Sequence, residues 1–350
     1  MNQLVTRIEE IIRPGALSCA THGLFHGNTG LCIFYYCLFR ETQDSAFEEF
    51  AEKLLDKIFE GLSTTESTDF EWGLAGIGWG IEYLIQNHFV EGNADEILEE
   101  IDHRIFKTLN EDKFDSFDLT NGLTGYLFYL IRRLKNPADL NLMPYQINRE
   151  LLILIINRLD EIMTPQFAGI TKDMIFDLCW RYPLMLCGLI NAYNLNIYNN
   201  KIKNALAQWV LNFETFLPSL HINRIWMATE LHRINAILCN HKLERQIKTL
   251  FFSVDLDELK TEIDYDALNF RHGWFGMSWV LSHALSTLPA TVPNYELIRL
   301  FNEELISRLK PAYIQMIEAG NTAILGQPGL SDGLSGICLA SILESELHFV

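Results

Sequence analysis

Residues 121–131 read NGLTGYLFYLI, in which the glycines Gly122 and Gly125 run straight into an apolar stretch. The same Gly-x-x-Gly step occurs four more times, as HGNTGLCIFYYCLF from His26, WGLAGIGWGIEYLI from Trp72, HGWFGMSWVL from His272 and DGLSGICLASIL from Asp332. Glycine permits tight backbone turns and lets two backbones approach closely. We therefore interpret each step as the entrance to a buried helix.

The spacing of these steps indicates an internal repeat. Their first glycines are Gly27, Gly73, Gly122, Gly273 and Gly333, so the intervals are 46, 49, 151 and 60 residues. The long interval has room for two eroded repeats, which we place at RYPLMLCGLINAY from Arg181 and IWMATELHRINAIL from Ile225. Self-similarity at a period of about 20–50 residues is typical of repeat architectures. The sequence thus predicts seven repeat units.

Charged amphipathic segments lie between the steps. AFEEFAEKLLDKIFEGL, from Ala46, has its apolar residues at helical spacing: Phe47, Phe50, Leu54, Ile58 and Leu62. Segments from Ile97 and Tyr295 follow the same pattern, and the alternation typical of β-strands is scarce. Each unit is therefore expected to be a helix pair. We predict an all-α ring of about seven pairs, an (α/α) toroid, as a single domain over residues 1–350.

Composition and charge exclude several partners. The chain has 45 acidic and 27 basic side chains and a formal net charge of -18, which disfavours nucleic acid and anionic lipid. Its apolar runs are shorter than the roughly 20 residues that cross a bilayer, and its first residues lack the apolar core of a signal peptide. Seven cysteines in no disulfide-framework spacing favour reduced thiols. We expect a cytoplasmic protein with no nucleic-acid or membrane partner.

The steps GLFHGNTG, GLAGIGWG, FDLTNGLTG, FRHGWFG and GLSDGLSG resemble those of the lanthionine synthetase C-like (LanC-like) family over essentially the whole chain. The resemblance implies the family's double ring of seven helix pairs. It also implies an activity, because members studied as enzymes are zinc proteins that add a cysteine thiol to a dehydroamino acid of a peptide. The product is a thioether ring, and the zinc lowers the pKa of the thiol so that thiolate is present.

The family's zinc ligands lie in a Trp-Cys pair and a Cys-His pair. Here the corresponding pairs are Trp226-Met227 and Arg271-His272, so His272 is retained while Met227 and Arg271 replace the cysteines. A thioether is a weak, uncharged ligand, and a guanidinium does not bind a cation. The resemblance therefore predicts a divergent member with no metal site and no cofactor.

The region that corresponds to the family's zinc site suggests a binding site of another kind. Our hypothesis is an anion or peptide-carboxylate site in which Arg271 replaces the charge of the ion, with His272 and Trp226 beside it. We expect Arg271 to pair with Asp118 or Glu230, or to receive a substrate carboxylate. Asp118 and His272 are the catalytic candidates. Three further residues complete the predicted pocket, although two of them also suit helix caps: Tyr182, His26 and Asp332.

Two classes of function remain open. The first is a zinc-free pseudo-cyclase in the maturation of a ribosomally made peptide, which binds a precursor peptide or a partner enzyme. The second is an active enzyme, either a cyclase with zinc rebuilt around His272 and Cys179, Cys187 or His232, or an α/α-barrel hydrolase that uses two loop carboxylates. The loop acids available to a hydrolase are Asp69, Glu71, Asp118, Asp177, Glu230 and Asp332. The missing cysteines favour the first class, and a working zinc-dependent lanthionine cyclase is not expected.

Overall fold

The computed structural model describes residues 10–16, 18–65, 67–136, 139–166, 174–213, 216–263 and 267–318, together with residues 329, 331 and 336. Over these residues the chain is helical and contains no β-strand. The helices that we number are α1 (Asn28–Thr42), α2 (Ser45–Gly61), α3 (Leu74–Gln86), α4 (Ala94–Ile97), α5 (Glu99–Glu111), α6 (Leu123–Leu134), α7 (Met143–Gln166), α8 (Arg181–Asn194), α9 (Asn199–Phe213), α10 (His221–Leu238), α11 (His241–Phe252), α12 (Leu256–Leu259), α13 (Trp274–Thr287) and α14 (Tyr295–Glu318).

The chain divides into two compact units. Unit 1 comprises residues 1–155 and 314–350, and unit 2 comprises residues 156–313. Helices α1 to α6 belong to unit 1, and helices α8 to α13 belong to unit 2. The expectation of a single domain over the whole chain stays a prediction.

Both kinds of helix expected from the repeat are present. Helices α1, α3, α6, α8, α10 and α13 are buried on nearly all sides through most of their length. The helices between them bury one stripe only, as α5 does with Ile101, Ile105 and Leu109. The two eroded repeats are therefore confirmed as α8 and α10, whereas the last step, at Gly333, lies outside the described residues.

Successive apolar helices pack against one another within each unit. In unit 1, α3 packs against α1 and α6, and α2 covers α1. In unit 2, α10 packs against α8 and α13, and α11 covers α10. This order follows from the repeat, since each apolar helix needs two neighbours and one amphipathic helix to bury its whole surface.

The glycine steps let a loop lie directly on the first turn of the next helix. A Cβ atom on Gly273 would stand 2.5 Å from the carbonyl oxygen of Ala267, which is closer than any real Cβ contact. A Cβ on Gly276 would collide with the carbonyl oxygen of Phe270. The contact is sealed by a hydrogen bond of 2.9 Å from the N–H of Trp274 to the same Ala267 oxygen. The steps thus bring loop side chains to the N-terminal ends of the apolar helices.

Candidate functional site

A repeated turn precedes three of the apolar helices. Asp69, Asp118 and Asn269 each stand four residues before the first glycine of their step. The Asp69 carboxylate accepts a hydrogen bond of 3.2 Å from the N–H of that glycine, and Asn269 Oδ1 accepts one of 2.6 Å from the N–H of His272. Asp118 Oδ2 accepts a hydrogen bond of 2.6 Å from the Ser116 hydroxyl. Asp118, a catalytic candidate from sequence, therefore contributes to the turn that leads into α6.

Arg271 and His272 hold the loop before α13 against the loop before α8. The Arg271 guanidinium donates from Nε to Asp177 Oδ1 at 3.1 Å and from Nη2 to Oδ2 at 3.5 Å. The N–H of Leu178 donates to the carbonyl oxygen of Arg271 at 2.8 Å. His272 Nδ1 donates to the carbonyl oxygen of Phe176 at 2.9 Å. An ion pair and hydrogen bonds to backbone therefore join the loops.

The hydrogen bond of His272 fixes its tautomer. A backbone carbonyl only accepts, so Nδ1 must carry the hydrogen and neutral His272 has its lone pair on Nε2. His272 is half-buried, and Nε2 makes no hydrogen bond with any residue in the described ranges. The imidazole therefore presents one acceptor atom beside the Arg271–Asp177 pair.

Glu230 is fully buried in unit 2, and both of its carboxylate oxygens are bonded. Oε2 accepts from Arg233 Nη1 at 2.7 Å, and Oε1 accepts from His283 Nε2 at 2.8 Å. The same guanidinium reaches Cys187 Sγ at 3.0 Å and Asn191 Oδ1 at 3.1 Å. These five side chains, on α8, α10 and α13, form what we call the Glu230 network.

The Glu230 network corrects one expectation. Arg271 does not pair with Glu230, because Glu230 is already neutralised within its own helix and by α13; the acid at Arg271 is Asp177. Sequence reasoning missed both network cations. Arg233 follows Glu230 at the i,i+3 spacing of a helical ion pair and was detectable, whereas His283 lies 53 residues away and gave no signal.

Trp226 and Tyr182 belong to an aromatic cluster in the core of unit 2. Trp226 is 1% exposed, and its ring centre lies 6.4 Å from that of Trp180 and 6.2 Å from that of Trp279. Tyr182 is 6% exposed and meets Trp180 and Phe213 edge to face. Both aromatic residues of the predicted pocket thus contribute chiefly to packing.

The residues predicted to stand at the family's ligand positions do not fit a zinc centre. Met227 is a fully buried neutral thioether, Arg271 is a cation paired with Asp177, and only His272 offers a good donor. Burial raises the pKa of Cys187 to about 12, so this thiol stays protonated near neutral pH. In the part of the chain that the structure describes, no three His, Cys, Asp or Glu side chains are grouped to hold a metal ion.

His26 lies in unit 1, in a cluster formed by the loops before α1 and α3. Its Nε2 atom lies 3.0 Å from Glu71 Oε1, and its ring stacks on Trp72 at 4.4 Å between centres. Trp72 is 47% exposed, so this cluster reaches the surface of the unit. Asp332, the other loop residue predicted for the pocket, lies outside the described residues.

Two of three comparisons with known proteins found a match. Residues 19–176 match the family described as "Lanthionine synthetase C-like protein". A solved structure, "Nisin cyclase", superposes with a TM-score of 0.70 at 15% identity, over 98% of this chain and 94% of that one. None of the curated proteins matches the sequence.

The described residues include no helix that is both long and apolar enough to cross a membrane. The all-α fold class and its (α/α) toroid type are confirmed by the match to nisin cyclase. The family match in the first half of the chain and the shared fold together support the resemblance seen in the glycine steps. The LanC-like family model matches a little less than half of the chain, and the fold of the chain is similar to that of nisin cyclase.

Proposed function

We propose that the protein takes part in the modification of a ribosomally made peptide as a zinc-free pseudo-cyclase, binding a precursor peptide or a partner enzyme without activating a thiol. The match of residues 19–176 to the LanC-like family and the fold shared with a nisin cyclase support the peptide-modification role. The binding role is our addition to that broader statement.

The observation that carries the proposal is the side-chain set at the family's ligand positions. Thiol activation by zinc needs thiolate and imidazole ligands with one position left open for substrate sulfur. This chain offers buried Met227 and the Arg271–Asp177 ion pair instead, beside a single imidazole, His272. A fixed guanidinium suits recognition of a peptide carboxylate and does not suit metal binding.

The loop carboxylates give a hydrolase little support. Hydrolysis of a sugar bond by the usual route needs two carboxyl groups facing each other across that bond. Each loop acid that the structure describes is held by a nearby partner. Two take part in turn hydrogen bonds, two pair with a cation or an imidazole, and one is buried in a network: Asp69 and Asp118, Glu71 and Asp177, and Glu230.

Metal content and reaction products test the proposal together. Purified protein should contain zinc far below one ion per chain, and it should bind a dehydrated, cysteine-containing precursor while leaving every peptide thiol open to alkylation. Mass spectrometry of the alkylated peptide measures the number of free thiols. Equimolar zinc, or loss of alkylatable thiol on incubation, would overturn the pseudo-cyclase assignment.

A gain-of-function variant sharpens the test. Met227→Cys combined with Arg271→Cys restores the family's ligand types beside His272, and it should raise the zinc bound by the purified protein. Each single substitution serves as the matched control, since one thiolate and one imidazole hold zinc weakly. A double variant that binds no more zinc than the single variants would contradict the placement of the ligand positions.

A further inference from the structure

Three basic side chains of unit 1 lie near one another without a carboxylate partner among the residues described. They are Arg40 in the last turn of α1, Arg132 in the last turn of α6, and Lys135 just after α6. In a chain of net charge -18, such a group is unexpected, because acids are abundant enough to pair with every cation.

The Arg132 guanidinium lies over two aromatic rings. Its guanidinium carbon lies 4.7 Å from the ring centre of Trp79 and 5.4 Å from that of Tyr83. Nη1 donates to the side-chain oxygen of Gln86 at 3.2 Å, while Nε and Nη2 make no hydrogen bond within the described part of the chain. Stacking fixes the plane of a guanidinium but leaves its edges open, and the Nε–Nη2 edge is the fork that binds carboxylates in pairs of hydrogen bonds.

Arg40 repeats this arrangement nearby. Its guanidinium carbon lies 3.7 Å from the ring centre of Phe89, and Nη2 donates to the carbonyl oxygen of Asn87 at 2.6 Å. The ring of Phe89 lies 6.3 Å from that of Tyr83, on which Arg132 stacks. Two stacked guanidinium groups therefore stand on a continuous row of aromatic rings, which we call the Arg40–Arg132 platform.

The neighbouring arginine of α6 pairs directly with acids, and Arg132 does not. Arg133, next in the same helix, pairs with three carboxylates, those of Glu82, Asp95 and Asp102. Arg132 makes no direct ion pair within the described residues; Glu82 acts on its charge from a distance, and Gln86 bonds to both side chains. The C-terminal dipole of α6 favours a cation there, but by only about 0.3–1 kcal/mol, and it does not account for a stacked guanidinium with an open fork.

Lys135 adds a like charge at close range. Partial burial and the nearby charge of Arg132 both lower the pKa of Lys135. Like charges held together are relieved when an anion binds between or beside them.

We propose that the Arg40–Arg132 platform binds an acidic segment of a peptide, with one carboxylate at each guanidinium and Lys135 adding attraction. Two forks separated by two rings suit carboxylates spaced along an extended chain. The inference rests on the proposed function only in taking a peptide as the bound molecule; it adds the chemistry of the segment and the surface that receives it.

Fluorescence anisotropy tests the platform with a short labelled peptide in which Glu alternates with Ser. The full-length protein should bind it, bind its Gln-for-Glu counterpart far more weakly, and lose affinity as salt is raised. Arg132→Gln and Arg40→Gln should each weaken binding about tenfold, the loss of one bidentate charge-assisted contact. Lys107→Gln, which removes the same charge from an exposed site of unit 1, should leave binding unchanged.

Four results would overturn the proposal. Two concern the ligand: equal binding of the Glu and Gln peptides, and tighter binding of a single-stranded RNA oligonucleotide than of the Glu peptide. Two concern the protein: equal affinity of Arg132→Gln and Lys107→Gln for the Glu peptide, and full affinity of Arg132→Lys, which keeps the charge but loses the paired donors. Circular dichroism confirms that each variant is folded, and the exposed Lys135→Gln gives a second variant if Arg132 variants do not fold. A precursor that still binds Arg132→Gln would leave the proposed function standing while removing this surface.

Discussion

The Nε2 atom of His283 lies 2.8 Å from Oε1 of Glu230, a carboxylate with no exposed surface. On its other side the same carboxylate receives Arg233, whose guanidinium continues to Cys187 and Asn191. The contacts join α8, α10 and α13, which are otherwise packed through apolar side chains. One buried charge thus fixes the alignment of three helices of unit 2, because apolar packing alone has little directional preference.

Removing that charge should destabilise the protein. Glu230→Gln leaves the Arg233 guanidinium without its counter-charge, and we expect a loss of about 3 kcal/mol in the free energy of unfolding, the lower end for a broken buried pair because Arg233 is 20% exposed. Urea unfolding followed by circular dichroism measures the change. Glu150→Gln breaks an exposed pair with Arg149 and should have little effect. Equal stability of the two variants would show that the Glu230 network does not hold the helices together.

The glycine steps predict a second stability difference. Gly273→Ala places a Cβ against the backbone oxygen of Ala267 at 2.5 Å, and backbone cannot move aside as a side chain can, so we expect a loss of about 1–3 kcal/mol. The control is Gly92→Ala, whose Cβ would meet only the terminal methyl of Ile97. Thermal unfolding of both variants checks the prediction, which fails if Gly92→Ala is the more destabilised.

The positions of the helices could be predicted from the sequence, but the contacts between loops could not. The helix pair repeats because each repeat unit must bury one apolar helix. Local patterns, such as the step at Gly122 and Gly125, mark where each apolar helix begins. The ion pair of Arg271 with Asp177 joins residues 94 apart, and no periodicity marks which acid lies across a loop. The resemblance predicts His272 as the retained ligand, but only the structure shows which of its nitrogen atoms carries the hydrogen.

The cysteines should differ sharply in reactivity. Burial raises the pKa of Cys32 well above its usual value and that of Cys187 to about 12, so both remain protonated at a pH of about 8 and are shielded as well. Cys239 is exposed. Iodoacetamide should therefore modify Cys239 first, and Cys32 and Cys187 only after unfolding in urea, as peptide mass spectrometry will show. Modification of Cys187 at the rate of Cys239 in the native protein would contradict the buried Glu230 network.

His22 should make the protein sensitive to mild acid. Its Nδ1 atom accepts a hydrogen bond of 3.3 Å from the Asn28 amide, which requires the neutral ring, and burial together with Lys57 lowers its pKa. A histidine with a lowered pKa in the folded state contributes stability above its unfolded pKa of about 6.5, and that contribution is lost as pH falls through the folded pKa. The thermal midpoint should fall between about pH 7 and about pH 5.

His22→Gln should flatten that pH dependence, because an amide keeps a hydrogen-bond acceptor but does not titrate. His241→Gln is the matched control, since the side chain of His241 is 95% exposed. Differential scanning calorimetry at several pH values measures both variants. The prediction would be wrong if the thermal midpoint of His22→Gln depended on pH as in the unmodified protein while that of His241→Gln did not.

Asp177 should compete with a bound peptide for Arg271. The Arg271 guanidinium donates two hydrogen bonds to Asp177. Both side chains are partly exposed, Arg271 at 21% and Asp177 at 34%. If Arg271 receives a peptide carboxylate, Asp177→Asn weakens the competing pair and should tighten binding of the precursor, whereas Arg271→Ala should weaken it. Isothermal titration with the precursor measures both, and Arg149→Ala provides an exposed control. Weaker binding in both variants would instead mean that the Arg271–Asp177 pair acts by holding the two loops together, because loss of either partner would then disturb the same surface.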